Sequence, residues 1–269
     1  MKLDFRSAYA RLKQFLMKRD DRQRISTNKL DFRTTYTSVT RSLIAKHGLH
    51  QAVRLAIGGE FDSFGILERE ILVQYGLQPD GYVVDVGCGS GRLAKPLAEY
   101  LTTGKYLGID IVPELVDYAR NLVVRPEWRF EVAEGLCIPD QDGQADMVCF
   151  FSVFTHLLHE QSYVYLQEAQ RVLKPGGKII FSFLDFAIPC HWAVFESNVR
   201  DIGGEYPLNM FISREGIRAW AEHLNLEIEA FHDGDKPHIP LPHPITLEDG
   251  TVMQGQGNLG QSVCVLVKR

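Results

Sequence analysis

The sequence predicts an α/β fold built on a doubly wound, mostly parallel sheet, with helices before it. Two observations predict this fold. Five short apolar runs alternate with helical patterns, at 82–86, 106–109, 129–132, 147–151 and 178–183. In addition, the first run ends in a glycine-rich corner. Alternation of this kind is typical of parallel strands joined by helices. Ligands of such sheets bind at the carboxyl ends of the strands, so functional residues are expected just after the runs.

Residues 1–57 are predicted to form a helical extension ahead of a sheet domain at 58–269. Apolar residues recur at helical spacing near the start, and Ser26-Thr27-Asn28 predicts a break between helices. The glycine-containing segment 58–65 predicts an interruption after these helices. A helix is expected over 66–75, because Gly76 and then a proline follow it.

Charge is distributed unevenly along the chain. Residues 1–60 carry thirteen Lys or Arg against five acids, whereas residues 61–269 carry sixteen against twenty-nine. A basic amphipathic helix near the start could contact an anionic membrane or a phosphorylated substrate. The favoured interpretation is instead a helix that packs on the domain and exposes its basic face to solvent. Because the remainder of the chain is acidic, nucleic acid is not expected as a partner.

The corner after the first run is the most specific motif. Gly87, Gly89 and Gly91 stand at alternate positions, and Asp85 lies two residues before the first of them. Glycines at a strand-to-helix corner let a ligand approach the backbone, and the amides of the next helix attract a negative group. A dinucleotide pyrophosphate would be repelled by Asp85. A zwitterionic amino-acid tail fits better, since its ammonium is drawn to the acid and its carboxylate to the amides.

This corner resembles the first motif of the class I S-adenosylmethionine-dependent methyltransferases. The resemblance implies a seven-stranded Rossmann-like methyltransferase sheet whose last two strands, here 227–231 and 262–267, form an antiparallel hairpin. It also implies S-adenosyl-L-methionine as cofactor, with its methionine tail on Asp85 and the loop and its ribose on an acid after the second strand. Asp110 meets that demand 19 positions beyond Gly91. Dehydrogenases use an acid at similar spacing, so Asp110 by itself is ambiguous and only its pairing with Asp85 discriminates. Asp85 and the spacing of the glycines disfavour a nicotinamide oxidoreductase.

The expected cofactor-binding set includes loop residues and residues that follow the next three strands. In relatives, an acid after the third strand hydrogen-bonds the adenine amino group, and Glu134 holds that place here, although a solvated loop acid is the alternative. The full expected set is Asp85, Gly87, Cys88, Gly89, Gly91, Asp110, Ile111, Glu134, Gly135 and Phe151.

The resemblance implies that the exit of the fourth strand faces the sulfonium, so the methyl acceptor is expected there. His156 lies there and has an ordinary pKa near 6.5, which suits proton transfer at neutral pH. Asp185, after the fifth strand, is the second catalytic candidate. The alternative for His156 is a packing or capping role, and His159 is a weaker candidate for the base.

Further along the chain, the sequence predicts a Pro175-Gly176-Gly177 turn into the fifth strand, a cap at 187–212 and a helix at 213–224. Residues 232–261 are rich in proline and glycine and predict an ordered flap that could set specificity. The flap contains histidines and acids, but their spacing matches no metal-binding motif, so no metal is expected.

The function predicted from the resemblance is transfer of a methyl group to a hydroxyl of a small metabolite or glycan intermediate. Alternatives are N-methyl transfer and a non-catalytic cofactor-binding module. Five scattered cysteines predict no disulfide framework. That cysteine usage fits a reducing cytoplasm, which is the expected location. No apolar stretch approaches the length of a membrane span.

Overall fold

The computed structural model describes residues 32–56, 60–200 and 209–269. The helix predicted near the start of the chain, and with it the proposed membrane contact, lies outside these residues. So do the break at 26–28, residues 58 and 59 of the predicted interruption, and residues 201–208 of the cap. The extension and sheet-domain boundaries, 1–57 and 58–269, therefore stay a prediction.

Helices precede the sheet and fill its crossovers. In chain order they are α1 (Phe32–His47), α2 (Leu49–Ala56), α3 (Phe61–Gln74), α4 (Ala94–Tyr100), α5 (Pro113–Leu122), α6 (His159–Val172), α7 (Pro189–Arg200) and α8 (Arg214–His223). The Ser213 hydroxyl accepts a hydrogen bond from the Gly216 amide and caps α8, as the sequence predicts.

The strands that form the main sheet are β1 (Tyr82–Val86), β2 (Lys105–Asp110), β3 (Arg129–Val132), β4 (Ala145–Phe150), β5 (Leu173–Phe183), β6 (Leu226–His232) and β11 (Ser262–Lys268). The flap between β6 and β11 contains the short strands β7 (Ile239–Pro240), β8 (Ile245–Thr246), β9 (Val252–Met253) and β10 (Gln256–Gly257).

The main sheet has the strand order β3-β2-β1-β4-β5-β11-β6. The pairs from β3 to β5 are parallel, and β11 runs antiparallel to both of its neighbours. This confirms the predicted seven-stranded, mostly parallel fold. Because β1 pairs with β2 on one side and β4 on the other, the direction in which successive strands are added to the sheet reverses at β1. Crevices at such a reversal are where open α/β sheets bind ligands.

The turn predicted at Pro175–Gly177 lies inside the bounds of β5. Pairing between β4 and β5 passes from Leu173 directly to Lys178 while the partner strand advances by two residues. Gly176 has φ +78°, in the left-handed region that glycine adopts without strain.

The helix predicted at 66–75 begins earlier, at Phe61, so the predicted interruption is shorter than expected. Gly65 lies inside α3, where a Cβ would come within 2.3 Å of the Arg92 carbonyl oxygen. This glycine therefore allows α3 to pack closely on the chain after the glycine loop. Tertiary packing decides the helix start, which local glycine content does not reveal.

The flap packs on the same face of the sheet as α3. Its two pairs, β7 with β10 and β8 with β9, are antiparallel. Buried apolar side chains of the flap, Ile239, Leu241, Ile245 and Leu259, belong to the same core cluster as Leu67 of α3. No helix within the described residues is long and apolar enough to cross a membrane.

Candidate active site

The glycine loop is fastened to the end of β2. The amides of Gly87 and Cys88 both donate to the Ile109 carbonyl oxygen, at 2.7 and 3.0 Å. Gly87, Gly89 and Gly91 have φ values of +80°, +53° and +89°. All three glycines are in the conformation that L side chains disfavour, which explains why the corner needs this residue type.

Asp110 joins the loop to the carboxyl end of β2. The buried carboxylate accepts from the Gly89 amide at 3.0 Å through one oxygen and from the Val112 amide at 2.9 Å through the other. Burial raises the pKa of Asp110 to about 6, and the amide hydrogen bonds oppose that shift. Each carboxylate oxygen keeps a second lone pair, so the fixed group can still accept from a ribose diol.

Asp85 points into the sheet face that carries α3. Its carboxylate accepts from the Tyr106 hydroxyl at 2.6 Å and contacts the Cys149 thiol at 3.6 Å. Burial raises the pKa of Asp85 to about 7, and the nearby charge of Glu68 adds to that effect, while the Tyr106 bond and Arg92 oppose it. The predicted ammonium partner is thus a rigid, buried acid.

A buried ion pair lies beside Asp85 and was not anticipated from the sequence. Arg92, next after the last loop glycine, donates to Glu68 of α3, and their side chains are only 11% and 3% exposed. Burial also raises the pKa of Glu68. Two carboxyls and one guanidinium leave this region short of positive charge when both acids are ionised, which fits an ammonium ligand.

The predicted adenine-binding residues follow β3. The Ala133 amide donates to the Asp110 carbonyl oxygen at 2.8 Å, so the turn after β3 lies beside the predicted ribose acid. Glu134 and Gly135 are exposed there, whereas Phe151, at the end of β4, is buried in the core. Contact of these three residues and of Ile111 with a cofactor stays a prediction.

His156 lies at the exit of β4, with its ring centroid 6.4 Å from that of Tyr36 in α1. Its amide donates to the Val153 carbonyl oxygen at 2.9 Å, closing a turn after the strand. Burial lowers the pKa of His156 to about 4. The imidazole is therefore neutral at physiological pH, and its pKa lies below the value near 6.5 on which the sequence prediction relied.

Asp185 is buried, and both of its carboxylate oxygens accept hydrogen bonds from other protein groups. One carboxylate oxygen accepts from the Ala187 amide at 3.0 Å and the other from Arg214 at 2.9 Å. Arg214 also pairs with Asp233 of the flap. These contacts favour a structural role that ties the end of β5 to α8 and the flap, and the predicted contact with the acceptor stays a prediction.

The flap reaches the exits of β4 and β5 through Gln261. Its side-chain oxygen accepts from the Ser182 hydroxyl at 2.7 Å, and its nitrogen donates to the Ser152 hydroxyl at 3.1 Å. Ser152 follows β4 in a left-handed conformation, with φ +59°. The end of the flap is thus fastened to the exits of β4 and β5.

The flap histidines pack against each other and against α3. The rings of His232 and His238 stack with centroids 4.0 Å apart, and the Tyr75 hydroxyl hydrogen-bonds His232. Within the part of the chain that the structure describes, no group of three or more histidines, cysteines or acids is arranged to hold a metal ion.

Helices α1 and α2 cover the loop side of the crevice. The buried Ser90 hydroxyl, inside the glycine loop, donates to the Val53 carbonyl oxygen of α2 at 3.0 Å. Tyr36 packs with Val53 against Val112 and Leu115 of the segment after β2. Sequence reasoning missed this cover, since helical periodicity shows that a face is apolar without showing which surface it meets.

Comparison with known proteins agrees with this geometry. A family model described as a methyltransferase domain matches residues 83–177. That range begins in the strand before the glycine loop and ends at the turn in β5. Residues 83–177 form a class I S-adenosylmethionine-dependent methyltransferase domain.

Curated relatives of this methyltransferase domain include two kinds of O-methyltransferase. A malonyl-[acyl-carrier protein] O-methyltransferase from Yersinia pestis is 33% identical over 129 residues, which cover 46% of this chain and 46% of that protein. A ubiquinone biosynthesis O-methyltransferase from Xanthomonas oryzae pv. oryzae is 29% identical over 156 residues, covering 55% and 63%. The match therefore spans less than two thirds of either relative.

The fold of the methyltransferase domain also recurs in solved structures. A SAM-dependent methyltransferase from Thermotoga maritima superposes with a TM-score of 0.55 at 19% identity, covering 88% of this chain and 99% of that one. At this identity the likeness concerns the fold alone.

Proposed function

We propose that this protein transfers the methyl group of S-adenosylmethionine to an oxygen of a small-molecule acceptor and releases S-adenosylhomocysteine. The observation that carries the proposal is the bond from the Gly89 amide to Asp110, which joins the glycine loop and the ribose acid into one rigid site. The names of the curated relatives support oxygen as the acceptor atom. A hydroxyl of a metabolite or a glycan intermediate meets this description.

The donor set fits the proposed cofactor. Asp110 accepts from the ribose hydroxyls, and Asp85 attracts the ammonium of the methionine tail in a buried region that holds two acids and one guanidinium. When bound, S-adenosylmethionine supplies an electrophilic methyl group on a positively charged sulfur. The protein contributes by fixing that group and by excluding water from it, and α1 and α2 cover the crevice.

His156 serves as the proton acceptor in this proposal. While the acceptor oxygen would take the methyl group that the bound cofactor supplies, His156 would take the hydroxyl proton on its neutral imidazole. Burial keeps the imidazole neutral beforehand.

The function is tested by incubating the protein with methyl-labelled S-adenosylmethionine and fractionated metabolites, glycans and lipids. A fraction that takes the label identifies the acceptor, and His156→Ala should then lower kcat by about 100-fold or more while cofactor affinity holds. His159→Ala is the control, since the His159 ring already bonds the Phe211 carbonyl oxygen at 3.0 Å. Cofactor binding without transfer to any fraction would contradict catalysis, and an unchanged kcat in His156→Ala would contradict the base assignment.

Affinity for S-adenosylhomocysteine is expected to rise with pH between about 5.5 and about 7.5. Burial raises the pKa of Asp85 to about 7 and that of Asp110 to about 6, so in the ligand-free protein both acids are partly protonated at the low end. The ammonium and ribose hydroxyls favour ionised carboxylates, so binding there releases protons and weakens as pH falls. Isothermal titration calorimetry in buffers of different ionisation enthalpy measures both effects.

The matched variants are Asp85→Asn, which keeps the size of the side chain without its charge, and Asp117→Asn. Asp117 is an exposed acid on α5 that pairs with Arg120. We expect Asp85→Asn to bind more weakly and with a smaller pH slope, and Asp117→Asn to match the parent protein. An unchanged slope in Asp85→Asn would show that this carboxyl does not meet the ammonium.

A further inference from the structure

Tyr36 lies where the cofactor half of the site meets the acceptor half. It packs against Val112 and Leu115, just after the ribose acid, with Ile111 alongside. On its other side its ring centroid lies 6.4 Å from that of His156, at the exit of β4. Since β1 lies between β2 and β4, a side chain that reaches both exits passes over the end of β1 and its glycine loop.

The charges around Tyr36 agree with this position. Burial raises the pKa of the Tyr36 hydroxyl, the Asp110 carboxylate raises it further, and the Arg92 guanidinium opposes the shift. Asp110 bonds the middle of the glycine loop, and Arg92 follows the last loop glycine. Tyr36 therefore interacts electrostatically with charged groups on two sides of the loop, and its side chain remains neutral at physiological pH.

Helix α1, which carries Tyr36, and the neighbouring helix α2 are attached to the domain by polar contacts as well as by packing. The Ser90 hydroxyl bonds the α2 backbone at Val53. Arg41 of α1 pairs with Glu114 at 2.7 Å, and Arg54 of α2 pairs with Asp62 at 2.8 Å. These contacts hold α1 and α2 against the domain, and with them the segment that carries Tyr36.

The chemistry of the proposed reaction defines where the sulfonium must lie. Its sulfur is bonded to the ribose, which Asp110 holds, and its methyl group must meet an oxygen within hydrogen-bonding reach of His156. The sulfonium therefore lies between Asp110 and His156. Tyr36 contacts the segments that carry both of these residues.

We propose that the Tyr36 ring recognises the positive charge of the sulfonium through its face, so that the site prefers S-adenosylmethionine to its neutral product. This inference rests on the proposed function. An aromatic face attracts a ligand cation by electrostatics, and the attraction is lost when the charge is lost. Transfer of the methyl group leaves a neutral thioether, so Tyr36 stabilises the reactant complex and helps the product to leave.

The test compares the affinities for S-adenosylmethionine and S-adenosylhomocysteine, measured by calorimetry without an acceptor. Sinefungin, which has an ammonium near the methyl position and transfers nothing, is a second charged probe. Tyr36→Leu keeps an apolar side chain without the ring and is expected to reduce the preference for the charged ligands about 2- to 30-fold. Affinity for S-adenosylhomocysteine should change little. Tyr36→Phe keeps the ring and should keep the preference.

Tyr118→Leu is the matched control. Tyr118 belongs to the same apolar cluster, but its hydroxyl makes an exposed hydrogen bond to His50 of α2. If Tyr36→Leu lost equal affinity for charged and neutral ligands, or if Tyr118→Leu lost the same preference, Tyr36 would have only a packing role and the inference would be overturned. Loss of the preference in Tyr36→Phe would overturn the assignment to the ring face. Failure of the parent protein to bind either natural ligand would instead refute the proposed function.

Discussion

Gly87→Ala is expected to lower the free energy of unfolding by about 3 kcal/mol. Gly87 has φ +80°, and a Cβ built on it would lie 2.3 Å from the Val153 Cγ2 atom. An L residue in the left-handed region costs about 1 kcal/mol or more, and overpacking a tight site adds about 1–3 kcal/mol. Valine is stiff about χ1, so it cannot simply rotate away. Equilibrium denaturation in urea measures the change.

Two further variants separate strain from overlap at this position. Gly176 has nearly the same φ, +78°, and nothing lies within 4 Å of its added Cβ, so Gly176→Ala should cost only about 1 kcal/mol. Val153→Ala removes the atom that collides, so adding it to Gly87→Ala should cost less than the sum of the two single changes. Equal costs for Gly87→Ala and Gly176→Ala would show that the contact with Val153 does not constrain the loop.

Asp110→Asn is expected to weaken S-adenosylhomocysteine binding by about 100-fold or more. The carboxylate of Asp110 accepts from the Gly89 and Val112 amides, and an asparagine amide group would face one of these donors with its own N–H. Each lost charge-assisted hydrogen bond to the ribose costs about 1.5–3 kcal/mol, and two account for the loss in affinity. Calorimetry measures the dissociation constant directly.

The stability of Asp110→Asn distinguishes loss of a ligand contact from loss of the fold. We expect a lower melting temperature but an intact far-ultraviolet circular dichroism spectrum, since the strands around Asp110 remain paired. Asp117→Asn provides the exposed control, as its ion pair with Arg120 is worth a few tenths of a kcal/mol. Normal ligand affinity in Asp110→Asn would contradict its assignment to the ribose.

Local patterns account for the sheet and the corner. The predicted strands at 82–86 and 129–132 coincide with β1 and β3, because buried parallel strands are short apolar runs bounded by turns. The turn before Lys178 was also predictable, since proline and glycine restrict the backbone locally. By contrast, the predicted start of α3 was wrong by five residues. Gly65 lies inside the helix because it packs against Arg92, a residue 27 positions away that local sequence does not reveal.

For the candidate site, the sequence by itself determined which residue types stand at the ends of β1, β2 and β4, since the strand pattern places Asp85, Asp110 and His156 at one edge of the sheet. Only the tertiary structure decided what surrounds them. The Glu68 and Arg92 pair, the bond from Ser90 to α2, and Tyr36 above the loop all join residues that are far apart in the chain. Short-range periodicity specifies which face of an element is apolar, but the partner of that face, and with it the shift in each buried acid's pKa, is set by packing between elements.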